Sequence, residues 1–231
     1  MQERSFVVSN QDAVQTRLLE IGTSQQAIQR AVLAGHEAAA SATRHHPVSY
    51  AGYVAWAEAI KVLRDIQVSE MGWSPEDIVG QPLVVSPDGR QAITAAGGDA
   101  ATGQPGPNRP KTRTPKGAAT FNAAASNTPW LFESMAAEEL AWIDQLQNRE
   151  TWMLLVYRDL ILGETRSELS KPTISFSGSR KNRRSVITDW SERIILPPIP
   201  FDGVPITQNP ELQTPRSGES GEIRVEIRRR A

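Results

Sequence analysis

SYAGYVAWAEAIKVLRDIQV, residues 49–68, carries the clearest secondary-structure pattern of this chain. Its large and apolar side chains recur three or four positions apart, which places them along one face of an α-helix. This stripe comprises Tyr53, Trp56, Ala57, Ile60, Leu63, Ile66 and Gln67. The charged side chains lie away from it, at Glu58, Lys61, Arg64 and Asp65. We therefore expect a helix that buries an aromatic face against another part of the protein.

The residues before this stretch predict two further helices. Ser9 or Asn10 can cap the first, which Gly22 ends, and Thr23 or Ser24 can cap the second. The apolar positions again follow helical spacing, at Val14, Leu18 and Ile21, then at Ile28, Ala31, Val32 and Gly35. We expect residues 1–75 to form a helical layer.

After residue 75 the pattern changes to strands. Asp88-Gly89 is a turn signal between two short apolar runs, and residues 151–157 are apolar on both faces, as in a strand covered on both sides. Residues 165–169, 173–176 and 186–196 predict further strands, and 128–147 a helix that Thr128-Pro129 begins. We expect an α+β fold in which the N-terminal helical layer packs on an antiparallel sheet or meander.

Two stretches contribute little to this core. Residues 97–128 combine Gly, Pro, Ala, Thr and Asn with almost no large apolar side chain, so we expect a long mobile loop there. Residues 201–231 are rich in Pro, Gly, Ser and charge, and we expect a flexible tail. Residues 76–200 then form the β-rich segment of the same domain as residues 1–75.

Composition excludes several classes of protein. The 231 residues include no Cys and three His, and the formal net charge is −1. Without Cys there is no disulfide framework and no thiolate zinc site, and we expect a cytoplasmic protein. No apolar run approaches the roughly 20 residues of a membrane-spanning helix, so we expect no membrane partner. His36, His45 and His46 lack the spacing of a metal site, and we expect neither a metal nor a cofactor.

Basic side chains form two compact clusters in stretches rich in Gly, Pro or Ser. The first cluster comprises Arg109, Lys111, Arg113 and Lys116, and the second comprises Arg180, Lys181, Arg183 and Arg184. Prolines between the cations of the first cluster keep its backbone extended, which suits contact along a row of phosphates. Neither cluster contains an aromatic residue that could stack on bases, so we expect contact with a nucleic-acid backbone rather than with base edges.

Three enzymatic alternatives use other residues. Arg30 and His36 have the loose spacing of a helical ribonuclease, in which His transfers protons and Arg stabilises the charged transition state. A carboxylate nuclease would need Asp88, Glu168 and Lys171 to converge, but Glu168 and Lys171 fall on opposite sides of a regular strand. The Gly-rich residues 97–103 lack the lysine of a phosphate-binding loop.

The cationic clusters therefore favour a non-catalytic binding or accessory subunit over an enzyme. We expect it to work with protein partners in a larger assembly and to contact nucleic acid or an acidic protein surface through its basic loops. The phosphodiesterase-type ribonuclease that uses Arg30 and His36 is the alternative. Both clusters can also pair with the protein's own acidic residues 131–170.

Overall fold

The computed structural model describes residues 5–78, 80–117, 120, 123–124, 127–128, 149–173 and 186–201. Three fully described helices pack on a mixed sheet of eight strands in this part of the chain. The helices are α1 (Gln11–Ile21), α2 (Gln25–Ala40) and α3 (Tyr50–Met71). The strands are β1 (Phe6–Val8), β2 (Ser74–Ile78), β3 (Gln81–Val85), β4 (Gln91–Gly97), β5 (Glu150–Asp159), β6 (Glu164–Pro172), β7 (Trp190–Ile195) and β8 (Ile199–Pro200). The predicted α+β class, with a helical N-terminal layer on a sheet, is confirmed.

The predicted helix boundaries follow from local capping. The Asn10 side chain accepts hydrogen bonds from the backbone N–H groups of Asp12 and Ala13, at 3.0 and 3.3 Å. Gly22 ends α1 in the left-handed conformation, with φ 87°. The Ser24 hydroxyl then accepts from the Ala27 N–H at 3.1 Å and begins α2. Each cap satisfies helix-terminal groups that would otherwise lack a partner.

The small residues of α2 allow α3 to approach closely. A Cβ on Gly35 would lie 2.5 Å from the carbonyl oxygen of Ala55 and 3.2 Å from the Ala59 Cβ. Any side chain at this position would therefore push the two helices apart.

The sheet is mixed, whereas the sequence predicts antiparallel pairing. The strand order is β1-β7-β6-β5-β4-β3-β2, and β8 pairs with the first residues of β6. The successive strands β2-β3-β4 and β5-β6-β7 are antiparallel, but β4 pairs with β5 in parallel, as does β1 with β7. The long connection between Gly97 and Glu150 returns the chain to the starting end of β4, and this return makes the pairing parallel.

Two edge strands have no clear sequence signal. β1 has three residues, too few to show an alternation. β2 reads SPEDI and looks polar, and its Pro is tolerated because the strand lies at the edge of the sheet. The two carboxylates of β2 are paired: Arg149 contacts Glu76 at 2.8 Å, and Arg64 contacts Asp77 at 3.1 Å.

The hydrophobic core lies on both faces of the sheet. On the helical face, Trp152 and Leu154 pack with the apolar residues of the helices, among them Ile60 and Leu63. On the opposite face, the alternate β5 residues Met153 and Leu155 pack with Ala96, Ile187 and Trp190. The doubly apolar pattern of residues 151–157 therefore correctly predicts a strand covered on both sides.

One member of the predicted buried stripe is exposed. Tyr53, in the first turn of α3, has 65% of its surface exposed, and Trp56 is only partly buried. The stripe becomes fully buried farther along the helix, at Leu63 and Ile66. The first turns of α3 thus lie at the margin of the core, where an aromatic side chain keeps much of its contact with water.

Several expectations fall on residues outside the described ranges. These include the helix predicted within 129–147, the strand residues 174–176, and the tail from residue 202 onwards. The mobility expected of residues 97–128 stays a prediction, and the contacts of its described portion are given below.

Candidate binding surface

The first basic cluster begins on an extended segment that is hydrogen-bonded to the body of the protein. Thr112 donates its N–H to the Ile187 carbonyl and accepts the Ile187 N–H on its hydroxyl, both at 3.0 Å. The Arg113 N–H donates to the Gly97 carbonyl at 2.8 Å. The Trp190 indole N–H donates to the Pro110 carbonyl at 2.7 Å. These four bonds fix residues 110–113 beside the ends of β4 and β7.

Within this segment, buried and exposed residues alternate. Pro110 and Thr112 face the protein and are buried, whereas Lys111 and Arg113 are exposed. Extended backbone rises about 3.3 Å per residue, so the Cα atoms of the two cationic residues lie roughly 6.6 Å apart on one side of the chain. The segment presents two positive charges outward from a fixed backbone.

The other two cations of the first cluster are less available. Arg109 contacts the Asp189 carboxylate at 3.1 Å, and both side chains are largely buried. Lys116 lies 3.4 Å from the Thr114 hydroxyl, and burial lowers the pKa of its ammonium group. The structure therefore separates Lys111 and Arg113, which face solvent, from Arg109, which binds to the protein itself.

A buried ion pair binds residues 103–104, near the start of the connection between β4 and β5, to the sheet. Glu168 and Arg193 are fully buried and form a double hydrogen bond, from Nε to Oε1 at 3.0 Å and from Nη2 to Oε2 at 2.6 Å. The same carboxylate accepts the Gly103 N–H at 2.9 Å and the Ser170 hydroxyl at 2.6 Å. Arg193 also donates to the Gln104 carbonyl at 3.2 Å. Both charges are thereby satisfied, as buried charges must be.

The carboxylates and lysine of the nuclease alternative do not meet. Glu168 belongs to the buried pair with Arg193, while Lys171 donates to Glu150. Asp88 lies in the β3–β4 turn, where the Ser86 hydroxyl donates to it at 2.6 Å and lowers its pKa. Each side chain thus has a structural partner in a different part of the sheet.

Arg30 and His36 also have separate surroundings. The Arg30 guanidinium lies 3.2 Å from Glu70 at the surface. His36 is buried, with its ring 4.4 Å from that of Phe201, and it accepts a hydrogen bond from Arg158 at 3.3 Å. Burial and the Arg158 charge both lower the pKa of His36. Six helical positions separate the two side chains by about 240° around the axis and 9 Å along it. These contacts do not support the ribonuclease alternative, which stays a prediction.

The Gly-rich turn, residues 97–103, is held by contacts of its own side chains. Asp99 accepts the N–H groups of Ala101 and Lys111 at 3.2 and 3.3 Å. The Thr102 hydroxyl packs against Gly98, where a Cβ would collide with it. The Asp99 carboxylate thus ties residues 99–101 to the backbone of Lys111.

The second cluster lies outside the described residues, at Arg180, Lys181, Arg183 and Arg184. In sequence it ends two residues before Val186, and the next residue, Ile187, exchanges hydrogen bonds with Thr112. In sequence, the second cluster is thus followed within three residues by Ile187, which is bonded to Thr112 between Lys111 and Arg113.

An exposed apolar turn connects β5 and β6. Leu160, Ile161 and Leu162 are 58, 95 and 66% exposed. Asp159 holds their backbone, because its Oδ1 accepts the N–H groups of Ile161 and Leu162 at 3.1 and 3.0 Å. Its Oδ2 accepts from the buried Arg166 at 2.9 Å. Three adjacent large apolar side chains are thus displayed on a fixed turn.

Neither a membrane helix nor a metal cluster is found in the part of the chain that the structure describes. No helix there is long and apolar enough to cross a bilayer, and no group of three His, Cys, Asp or Glu side chains could hold a metal ion.

Comparisons with protein families, with curated proteins and with solved structures find no match for this chain.

Proposed function

We propose that this protein is a non-catalytic binding subunit that contacts a nucleic-acid backbone through its first basic cluster. The observation that carries the proposal is the pair Lys111 and Arg113, held outward on a hydrogen-bonded extended segment. We expect the second cluster, which precedes Val186 in sequence, to bind the same ligand. Location in the cytoplasm stays an expectation from composition.

The fixed backbone supports this proposal energetically. A segment that is already ordered loses little conformational freedom when it binds, so more of the electrostatic attraction appears as affinity. Arg is suited to phosphate because its planar guanidinium can donate two parallel hydrogen bonds. Each neutralised phosphate also releases a bound counterion, which makes the affinity fall as salt rises.

Replacing Lys111 and Arg113 together with Ala is expected to weaken oligonucleotide binding by about tenfold or more at low salt. The plot of log affinity against log salt should become less steep by about 1.4 for a single strand, because two phosphate contacts are lost. Fluorescence anisotropy with a labelled oligonucleotide, titrated at several salt concentrations, measures both quantities.

The matched control replaces Lys61 and Arg90 with Ala, which changes the net charge equally at two exposed sites elsewhere. Arg90 precedes β4, at the opposite end of that strand from Gly97. Equal losses in the two double variants would contradict a localised site. Binding to polyglutamate but not to the oligonucleotide would point instead to an acidic protein surface.

The apolar turn supports membership of a larger assembly. A patch of adjacent exposed apolar side chains marks a protein contact more often than isolated ones do. Because Asp159 and Arg166 fix the turn, it can enter an apolar pocket of a partner protein without further ordering.

Ile161→Asp is expected to remove that partner from the complex isolated on the tagged chain, because a carboxylate would be buried in an apolar pocket. Thermal stability should stay unchanged, since Ile161 is almost fully exposed. Sedimentation velocity of the isolated complexes and calorimetry measure the two effects. A variant that retains its partner, or a wild-type chain that sediments as a lone monomer, would contradict the assembly proposal.

A further inference from the structure

The exposed aromatic residue of α3 lies at the same end of the sheet as the basic segment. The Tyr53 ring is 5.9 Å from that of Trp56, and the Trp56 indole N–H donates to the Ala95 carbonyl at 3.0 Å. Ala95 lies two residues before Gly97, the last residue of β4. The first turns of α3 therefore cover the end of β4 to which Arg113 is bonded.

Arg113 lies on the same face of β4 as these aromatic residues. Ala95 packs into the helical side of the core, and the alternation of a strand puts position 97 on that side too. A Cβ built on Gly97 would lie 3.7 Å from the Arg113 Cβ and 3.9 Å from its Cδ. The aliphatic part of the Arg113 side chain thus lies on the helical face of the sheet, next to the position two residues after Ala95 in β4.

Tyr53 has most of its surface exposed. It is 65% exposed, and the neighbouring Gly52 has open space where a side chain would be. The preceding Tyr50 ring is stacked on His46 instead, at 4.0 Å between centroids. A large exposed aromatic ring on the same face of the sheet as Arg113 combines two features of a surface that binds single strands, a stacking face and a charged backbone contact.

We propose that Tyr53 is a base-stacking platform beside Arg113 and Lys111, so that the ligand of this surface is single-stranded nucleic acid. This inference rests on the proposed function and names its substrate class. The bases of a duplex are stacked on one another and leave no face for an outside ring, whereas an unpaired base can stack on tyrosine. No sequence pattern links Tyr53 to the first basic cluster, because about 60 positions separate them.

Two ligands of equal length test the platform: a labelled oligothymidylate and the same phosphodiester chain made entirely of abasic sites. Tyr53→Ala is expected to lower affinity for the oligothymidylate by about 5- to 150-fold, the usual cost of losing one stacked base. Affinity for the abasic chain should not change, because its phosphates still meet Lys111 and Arg113. Tyr53→Phe should bind both ligands as the wild type does, since the ring is kept.

Phe6→Ala is the matched control, because Phe6 is also 65% exposed but lies on β1 at the edge of the sheet. It should leave both affinities unchanged. If Tyr53→Ala binds both ligands like the wild type, or loses both equally, the stacking inference is wrong while the basic-segment proposal stands. If the wild type binds neither ligand, the proposed function itself fails.

Discussion

Glu168→Ala is expected to lower the free energy of unfolding by about 3–5 kcal/mol, the usual cost of leaving one buried charge without its partner. The Arg193 guanidinium would lose both of its hydrogen bonds to the carboxylate while remaining fully buried. The Gly103 N–H would lose its acceptor as well. Urea unfolding followed by tryptophan fluorescence measures the change.

A double variant separates the cost of an orphaned charge from the value of the pair. Glu168→Leu with Arg193→Met removes both charges and keeps the site filled, so it should be more stable than Glu168→Ala. It should not fully reach the wild type, because Gly103 and Gln104 still lose their partners. Asp65→Ala is the control, since it breaks an exposed helical pair with Lys61 worth about 0.3–0.5 kcal/mol. Similar small losses in Glu168→Ala and Asp65→Ala would show that the buried pair is unimportant.

This ion pair also bears on the proposed binding surface. It ties Gly103 and Gln104 to the sheet, and the same connection continues to Lys111 and Arg113. Without this ion pair, the start of the connection would be less ordered. Residues 110–113 would then lose more conformational freedom when they bind a ligand. Glu168→Ala should therefore weaken oligonucleotide affinity even under conditions in which the variant remains folded.

The helical layer was predictable from sequence because its determinants are local. Asn10, Gly22 and Ser24 act within three or four residues of their own position, and the apolar spacing of residues 49–68 belongs to one element. The β3–β4 turn was equally local, since Asp88 bonds Ser86 and the Arg90 N–H. Such short-range contacts depend on residues that are close in sequence, so local sequence patterns predict them.

The sheet pairing and the candidate surface were not predictable in this way. Glu168 and Arg193 are 25 positions apart, and Pro110 and Trp190 are 80 apart. No periodicity links such residues, so the sequence does not predict these contacts. Tyr53 was expected in a buried stripe but is exposed, because helical spacing predicts which residues share a face but not where the neighbouring core ends.

The second large effect is expected at the centre of the helical face of the sheet. Trp152 is fully buried and packs in the same cluster as Leu63 and Leu154. Its indole N–H donates to the Gln91 side chain at 2.8 Å. The Arg17 guanidinium lies 5.6 Å from the ring centre, where it is attracted to the π-electrons. This tryptophan therefore joins the helical layer to two adjacent strands.

Trp152→Ala should lower the free energy of unfolding by about 3–5 kcal/mol, because it removes a fully buried tryptophan side chain and leaves a cavity. Trp152→Phe should cost less, since most of the cavity is filled and only the bond to Gln91 is lost. Trp56→Ala is the comparison at the margin of the same cluster, where partial exposure should make the loss smaller. Calorimetry and urea unfolding rank the three variants. If Trp56→Ala were the most damaging, the margin of this cluster would contribute more to stability than its centre, and the reasoning from burial would be wrong.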